Sequence, residues 1–305
     1  MPDPKFTWMD GKLMPVAKAT IPIGTHSLHY GSSIFEGIRA YGSPAGPKVL
    51  FLDAHVQRLF ASARMMRMEL PFSAAEIRSA IFSTIKKNGH AACYIRPICF
   101  RGDESLSVNP RRASVRCAIM TMEIGAYLGQ EALERGIDAG VSSWRRTPPG
   151  VGLPNGKIGG QYVNSSLMAM EAQDHGYVEA IALDMQGFVS EGSGENIFVV
   201  HNGVVYTPPM AGSILLGITR AGILQLAKHL GYEVCEQNFT REFLYICDEA
   251  FFTGTAAEIT PIRSIDKVKL GAGARGPITQ HIQESFFDIV HSKVDDAWGW
   301  LTPVK

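Results

Sequence analysis

Two residues set the chemistry open to this chain. Lys157 lies in Asn155-Gly156-Lys157-Ile158-Gly159-Gly160, and Glu191 follows 34 positions later in Ser190-Glu191-Gly192-Ser193-Gly194-Glu195-Asn196. Glycines around an acid let backbone approach a flat ligand with no Cβ in the way. The apolar run Ile197-Phe198-Val199-Val200 would carry that acid into a dry interior, where a carboxylate needs a partner. A turn lysine is solvated by default. Desolvated beside a cationic ring, its neutral amine is favoured, and that form attacks carbonyls and then shuttles a proton. Tyr162, five residues beyond Lys157, either hydrogen-bonds a phenolic oxygen or packs as an ordinary aromatic.

Two further segments offer backbone N–H groups to a phosphate. Gly217-Ile218-Thr219 opens a helix, with Thr219 expected at the cap, and Thr253-Gly254-Thr255-Ala256-Ala257-Glu258 follows a strand-like Ala250-Phe251-Phe252. A helix start presents unpaired donors and a positive dipole end, and a turn of small residues leaves its amides accessible. Taken singly, each is also an ordinary capped helix or a Gly-rich turn. Arg58, inside a helix that starts near Asp53, is either an exposed helix arginine or a bidentate phosphate donor. A protonated pyridine nitrogen for the acid, a carbonyl for the lysine and a phosphate for the loops are the parts of pyridoxal 5'-phosphate. His26 and His29 have a metal-binding spacing, but no Cys or acidic ligand joins them, so no metal site is expected.

Composition narrows the partners. Lys plus Arg and Asp plus Glu number 29 each in 305 residues, so charge favours neither nucleic acid nor an anionic membrane. Small molecules or other subunits are the expected partners. The five cysteines form no Cys-x-x-Cys pair, which fits reduced thiols, each a small buried hydrophobe. The N-terminus has no basic region followed by an apolar core, and no apolar stretch approaches a membrane span, so the chain reads as cytoplasmic.

The elements that must carry these residues alternate between strand and helix. Val49–Leu52 reads as a strand, Asp53 as the cap of a helix that Leu70-Pro71 stops, and Ser73-Ala74-Ala75-Glu76 as a capping box for a helix ending near Asn88-Gly89. Strands follow at about 91–100 and 114–122; period two puts Tyr94 and Arg96 on one face, and Pro97 implies an edge or a bulge. A strand near 138–143 precedes a Pro- and Gly-rich loop from Arg145 to Gly160 that carries Lys157. Gln161–His175 reads as a helix, Val178–Leu183 as a strand, and 196–206 as a hairpin on Asn202-Gly203. Helices at about 219–230 and 277–293 complete an α/β (α+β) chain of two domains, 1–123 and 137–305, joined through 124–136.

Read with Tyr30-Gly31-Ser32-Ser33-Ile34-Phe35-Glu36-Gly37-Ile38-Arg39-Ala40-Tyr41 and Ala92-Cys93-Tyr94-Ile95-Arg96-Pro97, these segments resemble the branched-chain-amino-acid aminotransferases. That group belongs to the class IV aminotransferases, or fold type IV pyridoxal-phosphate enzymes. The resemblance covers nearly the whole chain, in order and spacing. It implies a small N-terminal α/β domain and a larger C-terminal pseudo-barrel. It implies that Lys157 forms the Schiff base and moves the proton, Glu191 pairs with the pyridine nitrogen, and Tyr162 contacts the ring oxygen. Phosphate contacts are implied for Arg58, Ile218, Thr219 and Thr255. For substrate, it implies Tyr94, Ala256 and Ala257 at the α-carboxylate, Arg96 at the distal carboxylate of glutamate, and Tyr30, Phe35, Gly37 and Tyr127 around the side chain.

The activity so implied is ping-pong transamination between branched-chain L-amino acids (Leu, Ile, Val) and 2-oxoglutarate, in a homodimer or a higher homo-oligomer such as a hexamer. Two positions depart from the expected pattern: Ile124, where a bulky aromatic is expected, and Pro154-Asn155-Gly156, where a run of small residues is. D-amino acid aminotransferases, amine transaminases and aminodeoxychorismate lyases share the cofactor. A non-catalytic phosphate-ligand binding protein would use the two loops alone.

Overall fold

The computed structural model describes residues 4–125 and 129–304. Two compact units divide the chain: Met1–Ile124 with Gly156–Gly160 and Ile289–Lys305, and Gly125–Asn155 with Gln161–Asp288. The strands are β1 (Phe6–Met9), β2 (Lys12–Pro15), β3 (Ser33–Phe35), β4 (Ile38–Tyr41), β5 (Lys48–Leu50), β6 (Cys93–Arg101), β7 (Val115–Met122), β8 (Ile137–Arg145), β9 (Glu179–Leu183), β10 (Val189–Gly192), β11 (Asn196–His201), β12 (Val204–Thr207), β13 (Val234–Glu236), β14 (Glu249–Gly254), β15 (Glu258–Ile265), β16 (Val268–Lys269) and β17 (Leu301–Pro303). The helices are α1 (His26–Tyr30), α2 (Leu52–Met65), α3 (Ala74–Asn88), α4 (Gln130–Arg135), α5 (Tyr162–Asp174), α6 (Ile218–His229) and α7 (Pro277–Val290). The fold is mixed α/β.

In the first unit the sheet runs β17-β5-β4-β6-β7-β1-β2, with β3 also on β6. α3 begins as its sequence dictates: the Ser73 hydroxyl accepts from the Glu76 N–H, and the Glu76 carboxylate accepts from the Ser73 N–H at 2.7 Å. Gly89 then ends the helix at φ 70°. The start of α2 differs from expectation. Phe51, at φ 52°, is the N-cap, and Asp53 falls in the first turn, because the Phe51 N–H is taken by the Trp300 carbonyl at 2.7 Å from the far end of the chain. Ile77, Ile81 and Ile85 of α3, with Val56 and Leu59 of α2, pack on Ile38, Ile95 and Ile119 of the sheet as one core.

Pro97 corrects the expectation of an edge. β6 is interior, pairing β7 along its length and β3 and β4 on its other side. The Glu36 N–H reaches the Pro97 carbonyl at 2.8 Å, but Pro97 has no N–H to return. The ladder therefore stops between β3 and β4, which leaves Glu36 and Gly37 outside regular strand.

The second unit's sheet runs β10-β9-β8-β15-β14-β11-β12-β13, with β16 on β15. β8 pairs in parallel with both β9 and β15. β9, buried at every residue, and β11, buried at all but its last, have the near-continuous apolar composition of interior strands. The β11–β12 hairpin turns on Asn202 (φ 51°) and Gly203 (φ 79°), as the Asn-Gly pair requires.

Candidate active site

In the first unit the interrupted ladder places a buried acid. Glu36 accepts from Arg58 Nε on Oε1 at 2.7 Å and Arg58 Nη2 on Oε2 at 2.8 Å, and from His55 Nδ1 on Oε2 at 2.8 Å. Burial alone would push its carboxyl up; the Arg58 charge and hydrogen bonds, with those of His55, outweigh it and hold the group well below the usual carboxylate range. Burial draws His55 down against the pull of Glu36, so His55 serves as a neutral Nδ1–H donor. Arg58 is thus no exposed helix arginine: its side chain is 12% exposed and its guanidinium is aimed by a fully buried carboxylate.

Lys157 is half-buried and fixed through its backbone. Its N–H donates to Ser62 Oγ at 3.0 Å and its carbonyl accepts from the Phe35 N–H at 3.0 Å. Gly156 has no room for a side chain, since a Cβ would come within 2.9 Å of Ile158 and 3.1 Å of the Met65 sulfur. The Lys157 ammonium lies 5.0 Å from the Phe35 ring centroid, and the Arg96 guanidinium lies 4.7 Å from the same ring. Arg96 Nη2 donates to the Tyr94 hydroxyl at 3.0 Å, so these two side chains do share a face. A Cβ at Gly37 would overlap that hydroxyl. Phe35, Gly37, Tyr94, Arg96 and Lys157 therefore form one group. The Tyr30 hydroxyl donates to the Leu106 carbonyl at 3.0 Å. The rings of His26 and His29 serve Ser32, Ser107 and Ile23.

In the second unit Glu191 is 4% exposed. Arg146 Nη2 donates to Oε1 at 2.5 Å, while Asn196 Nδ2 (2.9 Å) and the Leu215 N–H (3.0 Å) donate to Oε2. Asn196 also donates to the Leu215 carbonyl, which ties the acid to the segment leading into α6. There Gly217 is the N-cap with no side-chain cap; Thr219 is one residue inside the helix and 4% exposed, which corrects its expected place at the cap. With Gly at the cap, the start of α6 receives no side-chain oxygen from its N-cap residue. A Cβ at Gly217 would overlap Asn196 Oδ1, so glycine is required for the acid and the helix start to come this close. Thr255, Ala256 and Ala257 form the turn from β14 to β15, braced by Thr260 Oγ1 on the Ala257 carbonyl at 2.7 Å. The buried Thr253 hydroxyl beside it has no partner among the described residues. Tyr162 is the first residue of α5 and half-buried. Tyr127 lies outside the described residues. An oriented anionic carboxylate, an uncapped helix start and an unsatisfied hydroxyl fit a phosphorylated pyridinium.

Glu36, His55, Arg146 and Asn196 were not identified from sequence. A signal for Glu36 exists: it is a lone acid in Ile34-Phe35-Glu36-Gly37-Ile38, and an acid in an apolar run needs a partner.

The class of the protein follows from comparison with known families: the Amino-transferase class IV family model matches residues 33–265, and the chain belongs to this family. More particularly, it is 47% identical over 301 residues to the branched-chain-amino-acid aminotransferase of Escherichia coli (strain K12), covering 98% of this chain and 97% of that one. It is 45% identical over 298 residues to the enzyme of the same name from Pseudomonas aeruginosa, with 98% and 97% covered. The crystal structure of the Escherichia coli branched-chain amino acid aminotransferase matches at a TM-score of 0.97 with 99% of each chain covered and 47% identity. That of the branched-chain amino acid aminotransferase from Thermobaculum terrenum, in its pyridoxal-phosphate holo-form, matches at 0.93, with 100% of each covered and 33% identity.

Proposed function

We propose that this chain is a pyridoxal 5'-phosphate-dependent transaminase that exchanges amino groups between branched-chain L-amino acids and 2-oxoglutarate. The observation that carries the reading is Lys157: a half-buried amine, backbone-anchored to Phe35 and Ser62 and lying over an aromatic ring that also receives Arg96. The names of the similar enzymes support the substrate class.

When bound, pyridoxal phosphate supplies the carbonyl that takes up the amino group and the ring that accepts the electrons of a carbanion at Cα. Lys157 would hold the cofactor at that carbonyl, and its amine would move the proton at the substrate Cα. Glu191 would pair with the protonated ring nitrogen. Tyr162 would donate to the ring oxygen, and Arg58, Ile218, Thr219 and Thr255 would hold the phosphate. Tyr94, with the amides of Ala256 and Ala257, receives the α-carboxylate. Arg96 meets the second carboxylate of glutamate, whose burial would otherwise be costly, while Phe35 and Gly37 offer an apolar wall to an aliphatic side chain. Tyr30 and Tyr127 are assigned to the same pocket.

A homodimer is part of this reading. Ile23, Leu28, Tyr30, Leu106 and Val108 are exposed apolar side chains, and the Tyr30–Leu106 hydrogen bond draws two of their segments together; a second copy of the chain is the occupant we assign to them. A cytoplasmic location is also part of it, supported by five free thiols.

The test is direct. The purified protein is expected to be yellow, to lose its colour on borohydride reduction with the adduct on Lys157, and to turn over L-leucine with 2-oxoglutarate on parallel double-reciprocal lines. A colourless protein indifferent to added cofactor would return the chain to the binding-protein reading. Turnover of D-alanine or 1-phenylethylamine in place of L-leucine would move it to another branch of the family.

A further inference from the structure

Glu191 is not the sole buried acid of its neighbourhood. Glu179 on β9 and Glu195, in the turn between β10 and β11, are also buried. Glu179 Oε1 accepts from the Ala180 N–H at 2.6 Å and the Ser193 N–H at 3.4 Å; Glu195 Oε2 accepts from the Gly194 N–H at 3.0 Å. Burial disfavours charge on all three. Amide donors serve an ionised carboxylate but bring no countercharge. Arg146 does, and its 2.5 Å contact is with Glu191 Oε1.

We propose that Arg146 is a positioning residue that assigns the negative charge of this three-carboxyl cluster to Glu191, so that Glu191 stays ionised and aimed while Glu179 and Glu195 share a proton. The inference rests on the reading of Glu191 as the ring-nitrogen partner. Its second support is the state of the other two acids. Burial, then the charge of Glu179, then that of Glu191 push the Glu195 carboxyl well up, and burial pushes Glu179 up against the donors around it. Both shifts favour retention of a proton by this pair, whose titration belongs to the two carboxyls together. The third support is aim. Arg146 Nη1 also donates to Ser165 Oγ at 3.3 Å, and Ser165 lies three residues beyond Tyr162, on the same face of α5. One guanidinium thus ties the acid read as the ring-nitrogen partner to the helix that carries the residue read as the ring-oxygen partner.

The experiment counts protonated carboxyls by infrared difference spectroscopy on the full-length protein near neutral pH, with and without pyridoxal phosphate. Arg146→Gln is expected to gain one buried protonated-carboxyl band in the cofactor-free protein, absent from the double variant R146Q/E191Q and from the charge-keeping Arg146→Lys. Arg146→Met, which keeps the apolar stem, carries the same expectation if R146Q does not fold. A folded R146Q or R146M with the wild-type carboxyl spectrum overturns the proposal, because a merely structural arginine lowers the melting temperature and leaves that band alone. The reading of Glu191 is tested separately, by the ¹⁵N shift of ring-labelled cofactor bound to Glu191→Gln. An unchanged shift sinks the ring-partner role and leaves the charge assignment by Arg146 to stand or fall on the infrared band.

Discussion

Glu36 in the first unit and Glu191 in the second are both buried carboxylates facing an arginine, and they differ in which member of the pair a ligand is to meet. Glu36 is fully enclosed and bound by Arg58 and His55; in the proposed function the acid is the holder and Arg58 the group presented to a phosphate. At Glu191 the proposed roles reverse, with Arg146, Asn196 and the Leu215 amide holding an acid that would be presented to a ring. A buried ion pair is weak evidence for stability in itself. What each pair provides here is orientation, with the charge to be used supplied by opposite partners.

The largest effect expected from breaking this contrast comes at Glu36. Glu36→Ala leaves the Arg58 guanidinium and the His55 ring without their acceptor, and loss of one partner of a buried pair costs about 3–5 kcal/mol. Glu191→Gln keeps an oxygen for the donors around it, so its stability cost should be nearer 1–3 kcal/mol, while its transamination rate falls roughly 100-fold or more through loss of ring protonation. Urea unfolding and steady-state kinetics on both variants check this. Equal stability losses would remove the distinction between holder and presented group.

Two glycines sharpen it at the next level. Gly37→Ala overlaps the Tyr94 hydroxyl that accepts from Arg96, and Gly217→Ala overlaps the Asn196 side-chain amide that donates to Glu191. Overpacking of this kind typically costs about 1–3 kcal/mol, and the two variants should spend it differently. Gly37→Ala is expected to raise KM for both leucine and 2-oxoglutarate with cofactor affinity unchanged. Gly217→Ala is expected to weaken cofactor binding roughly tenfold with little change in KM once saturated, about the 1.4 kcal/mol that a tenfold change represents. Cofactor titration of the two cofactor-free proteins separates them. A loss of cofactor affinity in Gly37→Ala would place Tyr94 in the wrong group.

What the sequence discloses follows from how local each feature is. The Ser73–Glu76 capping box, the Asn202-Gly203 turn and the pairing of Tyr94 with Arg96 on one face depend on residues a few positions apart. Lys157 and Glu191 are legible because each is a chemically costly residue among glycines. Phe51 replaced Asp53 as a helix cap because a carbonyl from Trp300 holds it, and no local pattern carries that. The missing N–H of Pro97 implies an edge or a bulge, whereas the strand is interior and its neighbour breaks into two; that break depends on residues about 60 positions away. Arg146 and Glu36 escaped notice because their value lies in partners 45 and 22 positions away. Sequence shows that a buried acid needs a cation and leaves open which one.

The smallest effect is a pH dependence in which two buried acids act with opposite sign. Glu36 holds its carboxyl below the ordinary value of 4.5. Below that value the unfolded chain takes up a proton that the folded protein refuses, so the stability from Glu36 is complete above 4.5 and is lost as pH falls toward the folded value. Glu195 holds its carboxyl well above 4.5. Its contribution is complete below 4.5, where both states are protonated, and drains away as pH rises through the folded value, because the folded protein then keeps a proton the unfolded chain has released. Each slope is at most about 1.4 kcal/mol per pH unit for one proton. Glu36→Gln should therefore flatten the acid limb of the stability curve. Glu195→Gln should gain on the wild type as pH rises above 4.5, because Glu195 is shifted upward in the folded protein, measured by urea unfolding at each pH. A Glu195→Gln curve parallel to the wild type throughout would mean that Glu195 is already ionised in the folded protein, and that the second unit manages its buried acids as the first manages Glu36.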